Sequence, residues 1–152
     1  MHTDKCGIKQ DKKIMGEKTN FIEELFEKDG EKDKINAITE KIIGCAYKVA
    51  NELGCGFLEK VYENALAHEI RKIVLKVEQQ KKIKVYYDKV EVGIYEPDLL
   101  VENAVIVELK TVKSLEDSHK AQCLNYLKAT GLKICLLINF GNPRVEVKRV
   151  IL

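Results

Sequence analysis

Asp98, Glu108 and Lys110 lie in the segment "EPDLLVENAVIVELK", residues 96–110, which is otherwise mostly Leu, Val, Ile and Ala. Burying a charge in so apolar a stretch is costly unless the group is paired or bound to a metal. Glu108 and Lys110 are two residues apart, so on a strand they project from one face, an acid beside a base. Whether Asp98 joins them depends on the hairpin between residues 92–101 and 104–111. A two-residue turn at Glu102 and Asn103 pairs position 98 with 107 and sends the two carboxylates to opposite faces. A three-residue loop, or one bulge, pairs 98 with 108 and unites them. Pro97 has no N–H for the ladder and favours irregular geometry at the strand start.

If the three converge, two carboxylates at close range repel until a hard divalent cation neutralises them, and an all-oxygen donor set suits Mg²⁺ or Mn²⁺. Such an ion activates water and stabilises charge on a phosphate, and the Lys110 ammonium could orient the water or offset charge on the phosphoryl oxygens. The plainer reading is a salt bridge on an exposed hairpin. Against it, "DLLV" and "AVIVEL" are apolar on both strand faces, the mark of central, covered strands.

The elements that must position these groups follow from periodicity. Apolar residues at Ile35, Ile38, Ile42, Cys45, Val49 and Leu53 recur at three or four, predicting a helix over 34–52 that "GCG" at 54–56 stops. "FLEKVYENALAHEIRK", 57–72, predicts a second helix. Residues 73–87, 92–101 and 104–111 read as strands. Ser114 and Asp117 resemble a capping box for a helix over 115–130, closed by Gly131. Strands at 132–140 and 145–152 complete the order α-α-β-β-β-α-β-β. Residues 1–34 hold 17 charged side chains and few apolar ones, so a mobile tail is expected there, with at most a turn or two of helix around Phe21 to Lys28. Residues 35–152 form the folded domain.

Composition narrows the class. The chain has 152 residues, 45 % hydrophobic, which is enough for one domain with a core. No apolar run approaches the ~20 residues that cross a bilayer, and no signal-peptide pattern opens the chain, so a soluble, cytoplasmic protein without a membrane partner is expected. Five scattered cysteines without a CxxC pair read as reduced thiols, Cys123 and Cys135 as core residues. A net charge of +2 with only three arginines does not by itself announce nucleic acid. Three dispersed histidines, His2, His68 and His119, do not suggest zinc.

Pro97-Asp98, then Glu108-Leu109-Lys110, resembles the Pro-Asp…(Asp/Glu)-x-Lys signature of the PD-(D/E)xK nuclease superfamily, and "GFLEKVY" at 56–62 resembles the Gly-x-x-Glu-x-x-Tyr motif of its GxxExxY family. "HKAQCLNYLKATG" and "LLINFG" are similar to that family's distal half, so the resemblance spans about 35–152. It implies an α/β (α+β), restriction-endonuclease-like core, a mixed central sheet flanked by helices. It implies Asp98, Glu108 and the Leu109 backbone carbonyl as ligands of Mg²⁺ or Mn²⁺, Glu59 as a further active-site acid that could join them, and Lys110 as base or charge stabiliser. Gln122 would be catalytic, from a Gln-x-x-x-Tyr pattern with Tyr126. Tyr62 and Tyr126 can each equally be core aromatics or substrate contacts, and His119, three before Gln122, could contact phosphate.

The expectation is a divalent-metal-dependent nuclease acting on DNA or RNA. Its rivals are a non-catalytic nucleic-acid-binding or regulatory module on the same scaffold and a protein that binds partners through its charged tail. Nucleases of this size often pair to cut both strands, which admits a homodimer.

Overall fold

Five apolar strands form one mixed sheet, and a two-stranded ribbon lies apart from it. The computed structural model describes residues 5–152, with side chains from residue 27. In chain order the elements are α1 (Lys5–Leu53), α2 (Glu59–Lys72), β1 (Val77–Gln79), β2 (Ile83–Tyr87), β3 (Val90–Tyr95), β4 (Leu99–Val101), β5 (Val105–Lys110), α3 (Asp117–Thr130), β6 (Ile134–Asn139) and β7 (Glu146–Ile151). The chain divides into two compact units, Met1–Ala37 and Ile38–Leu152. No helix among the described residues is long and apolar enough to cross a membrane.

The main sheet runs β1-β4-β5-β6-β7, with β5 and β6 parallel and every other pair antiparallel. A parallel pair needs a crossover, and α3 supplies it. β4 and β6 are wholly buried and β5 is buried up to Lys110, as strands apolar on both faces should be. Leu100, Ile106, Cys135, Leu137 and Val150 pack with Cys123 and Leu127 of α3 on one face. Alternation along β5 places Val105, Val107 and Leu109 on the other face, and Leu66 and Ile70 of α2 and Ile42, Ala46 and Val49 of α1 are likewise buried. Each fully buried Leu or Ile contributes roughly 1.5–3 kcal/mol, so these layers fix the sheet that carries the charges.

Two predicted strands divide. Residues 73–87 give β1 and β2, which belong to different sheets, because Gln80 turns the chain with φ 52°. The strand expected over 92–101 breaks at Glu96, Pro97 and Asp98, leaving β3 in the ribbon and β4 in the main sheet. The first helix reaches its predicted end, where Gly54 takes φ 68° and its N–H donates to Ala50 O at 2.9 Å, but its backbone is helical from Lys5 rather than from 34. Of the expected mobile tail, residues 1–4 and every side chain before 27, including His2, Cys6 and Phe21, lie outside the described residues. The capping expectation also shifts: α3 starts after Glu116, whose N–H donates to His119 Nδ1 at 3.0 Å, two positions beyond the predicted Ser114. Gly131, φ 72°, closes the helix as expected, with its N–H on Leu127 O. Cys45, Cys123 and Cys135 are buried thiols and Cys55 is an exposed one.

Candidate active site

The hairpin β4–β5 has a three-residue loop. Leu99 pairs with Val107, Leu100 with Ile106 and Val101 with Val105, which puts Asp98 opposite Glu108. Glu102 and Asn103 are both left-handed, φ 52° and 51°, and the Ala104 N–H closes the turn on Val101 O at 3.0 Å. Ala104 is therefore the additional residue that sets the register. Leu100 and Ile106 face α3, so alternation sends Asp98, Glu108 and Lys110 to that face as well.

The carboxylates are tied into the strand ends. Asp98 N–H donates to Glu108 Oε1 at 3.1 Å, and Leu109 N–H donates to Asp98 Oδ2 at 2.8 Å. Glu108 is only 4 % exposed. Burial, and then the charge of Asp98, push its carboxyl from the ordinary 4.5 up to about 9. Burial also raises Asp98, against the Leu109 N–H and the Gln80 amide that favour its charged form. Glu59, on the first turn of α2, is raised by burial and next by the charge of Asp98. Glu59 thus lies within reach of the charges of Asp98, Lys110 and Glu63.

Lys110 Nζ donates to Gln122 Oε1 at 3.2 Å, and Gln122 Nε2 donates to the Tyr126 hydroxyl at 3.2 Å. Gln122 and Tyr126 share a face of α3, as their spacing of four requires. Burial, and then the charge of Glu108, push the Tyr126 hydroxyl up to about 12, so it stays protonated at neutral pH. Its ring meets Tyr95 of β3 edge to face, centroids 5.0 Å apart. A groove of about 460 Å³ opens here, lined by Tyr95, Ser118, His119, Gln122, Asn125 and Tyr126.

Tyr62 corrects an expectation. It is fully buried, its hydroxyl donates to Gly54 O at 2.7 Å, and its ring stacks on Phe140 at 4.7 Å. A substrate cannot reach it, so its role is packing, and it ties α2 to the turn that precedes it. His119 lines the groove, but its Nδ1 is engaged by the helix cap.

Three side chains and one glycine beyond those predicted shape the site. Gln80 Nε2 reaches both Asp98 Oδ1, at 3.1 Å, and Glu63 Oε1, at 2.5 Å. Glu63, 2 % exposed, also accepts from Lys60 at 2.6 Å and Gln79 at 2.8 Å. Glu63 had a sequence signal, standing one helical turn after Glu59; Gln80 had none. Asn139, fully buried at the end of β6, accepts the Val112 N–H at 3.0 Å and donates to the Val112 carbonyl at 2.8 Å. Gly141 passes so close that a Cβ there would lie 2.2 Å from Val112 O. These contacts clamp the chain two residues beyond Lys110.

Asp98 and Glu108 can hold a divalent cation. They are adjacent acids, Glu108 buried and Asp98 half-buried, whose ionisation is opposed by desolvation and, at Glu108, by the neighbouring carboxylate, the penalty that a bound cation offsets. Because the Leu109 N–H points to Asp98 while the Lys110 carbonyl accepts from Phe140 N–H at 2.8 Å, alternation turns the Leu109 carbonyl to the Asp98 side. Among the described residues no group of three or more His, Cys, Asp and Glu gathers at one point. The donor set is thus sparse and all oxygen, which fits an ion that keeps several waters and takes substrate phosphate oxygens, as Mg²⁺ does.

Residues 36–150 match the sequence model of the PD-(D/E)XK nuclease superfamily. Among solved structures, the crystal structure of SSO0001 aligns at a TM-score of 0.46 and 15 % identity over 60 % of this chain and 50 % of that one. An alkaline exonuclease, LHK-Exo, from Laribacter hongkongensis aligns at 0.46 and 14 % over 60 % of this chain and 55 % of its own. The chain spans about half the length of these solved structures. No curated protein matches it.

Proposed function

The chain belongs to the PD-(D/E)XK nuclease superfamily, and from that premise we propose that it hydrolyses phosphodiester bonds of DNA or RNA with Mg²⁺ or Mn²⁺. The observation that carries this reading is the three-residue loop that sets Asp98 opposite Glu108 with Lys110 on the same strand face. A surface ion pair would need neither the burial of Glu108 nor the absence of a Lys110 bond to either carboxylate.

Asp98, Glu108 and the Leu109 carbonyl would hold the ion, with Glu59 as a further acid within reach of the Asp98 charge. When bound, the ion supplies a more acidic water and positive charge against the phosphoryl oxygens. The Lys110 ammonium, held by Gln122, orients the attacking water or offsets the charge that grows on phosphorus-bound oxygen. The Tyr126 hydroxyl keeps its proton at neutral pH, and with Gln122, His119 and Tyr95 it lines the groove in which the neighbouring nucleotide would lie.

Placement in the GxxExxY family is supported by what each motif residue does. Gly56 takes φ 111°, which favours glycine; Glu59 opens α2 within reach of the Asp98 charge; Tyr62 locks that helix to Gly54. A cytoplasmic location, and a homodimer to cut both strands, belong to the same proposal.

The test is incubation of the purified protein with single- and double-stranded DNA and RNA in Mg²⁺ or Mn²⁺. Cleavage that Asp98→Ala, Glu108→Ala and Lys110→Ala each abolish in folded protein supports the reading. Binding without cleavage, unchanged by chelator, overturns it in favour of a nucleic-acid-binding module.

A further inference from the structure

One side chain outside the signature joins the two acidic positions on either side of it. The Gln80 amide has two hydrogens, and Nε2 is within reach of two carboxylate oxygens, Glu63 Oε1 at 2.5 Å and Asp98 Oδ1 at 3.1 Å. The backbone N–H of the same residue donates to Asp98 O at 3.1 Å. Gln80 achieves this from a left-handed conformation, φ 52°, which a residue with a Cβ adopts at a cost of about 1–2 kcal/mol unless its surroundings over-determine it.

The surroundings do so. Glu63 is buried, and its other oxygen is taken by Gln79 Nε2 and Lys60 Nζ. It therefore serves as a fixed acceptor that anchors the Gln80 amide from α2. On the far side, Asp98 has Oδ1 on Gln80 and Oδ2 on the Leu109 N–H, so both of its oxygens are constrained across the hairpin.

We infer that Gln80 is a positioning residue: anchored by Glu63, it fixes the plane of the Asp98 carboxylate and so prepares that group to bind a divalent ion. The inference rests on the reading of Asp98 as an ion ligand. Groups that hydrogen-bond ligating carboxylates typically change metal affinity about 10- to 100-fold when removed. Glutamate cannot replace Gln80, since it would set a third carboxylate against two others. Asparagine, one methylene shorter, tolerates the left-handed backbone but cannot span both acceptors.

Calorimetric titration of the full chain with Mn²⁺ tests this. Gln80→Gly removes the side chain and suits the positive φ, and Gln80→Asn gives a second variant should Gln80→Gly not fold. Wild-type protein is expected to bind Mn²⁺, and either folded variant to bind it about 10- to 100-fold more weakly, with turnover recovering at saturating Mn²⁺. Recovery separates positioning from a folding defect, which excess ion would not repair. If wild type binds and the folded variants bind equally well, the inference is overturned and the ion site stands. If wild type binds no Mn²⁺, the ion reading of Asp98 falls first.

Discussion

The Asp98 backbone N–H donates to Glu108 Oε1 at 3.1 Å, so the residue that carries one carboxylate also holds the other. The return contact, Leu109 N–H to Asp98 Oδ2, closes the link between the two strand ends. The spacing of the acids is therefore a property of strand register rather than of a loose loop.

Register gives the first prediction. Deleting Val105 while the three-residue loop is kept pairs Val101 with Ile106 and Asp98 with Leu109, which moves the Asp98 carboxylate to the face opposite Glu108. Mn²⁺ binding and cleavage should be lost by at least about 10²-fold, even where circular dichroism still reports a folded sheet. Retained ion binding in the deletion variant would contradict the role given to the register.

The burial of Glu108 predicts a pH dependence. Its folded-state pKa, about 9, lies above its ordinary 4.5, so between these values the folded protein binds the extra proton. Ion-free stability is then greatest below about pH 4.5 as far as this group is concerned, and falls as pH rises toward 9. Glu108→Gln should melt higher than wild type at pH 8 and flatten the slope, whereas Mg²⁺ or Mn²⁺ should raise the wild-type melting temperature there. Melting curves across pH, with and without the ion, check the sign.

Lys110→Met should lower turnover by about 10²–10⁴-fold, the range for a residue that assists proton transfer, and leave Mn²⁺ binding intact or tighter because a nearby cation is gone. Gln122→Ala, which removes the Lys110 partner, should lower turnover less than loss of Lys110 itself. Single-turnover assays beside calorimetry distinguish the two effects.

Tyr62→Phe should cost about 0.5–1.5 kcal/mol of stability by removing the hydrogen bond to the exposed Gly54 carbonyl, and leave the turnover of folded protein unchanged. Urea denaturation with an activity assay checks both. A fall in turnover without loss of stability would return Tyr62 to the substrate.

The sequence revealed the chemistry better than its geometry. Asp98, Glu108 and Lys110 stood out because charge in an apolar strand is costly, and burial bears that contrast out at Glu108. The loop length was not legible, because Glu102 and Asn103 serve a two- or a three-residue connection equally well and only the observed pairing separates them. Strand breaks at Gln80 and at Pro97–Asp98 were hidden for another reason. Apolar alternation continues on either side of each break, so a change of sheet leaves no mark on the period. Tyr62 and Gln80 show the limit from both sides. A tyrosine in a motif was read as a possible contact and proved to be core, while an unmarked glutamine holds a principal carboxylate.

The central claim is that Asp98 and Glu108 share one divalent ion. A crystal of the full chain soaked in Mn²⁺ and measured for anomalous scattering tests it most directly. The account predicts a peak coordinated by both carboxylates and the Leu109 carbonyl. A well-ordered site without such a peak at saturating Mn²⁺, or a peak that contacts neither carboxylate, would contradict it.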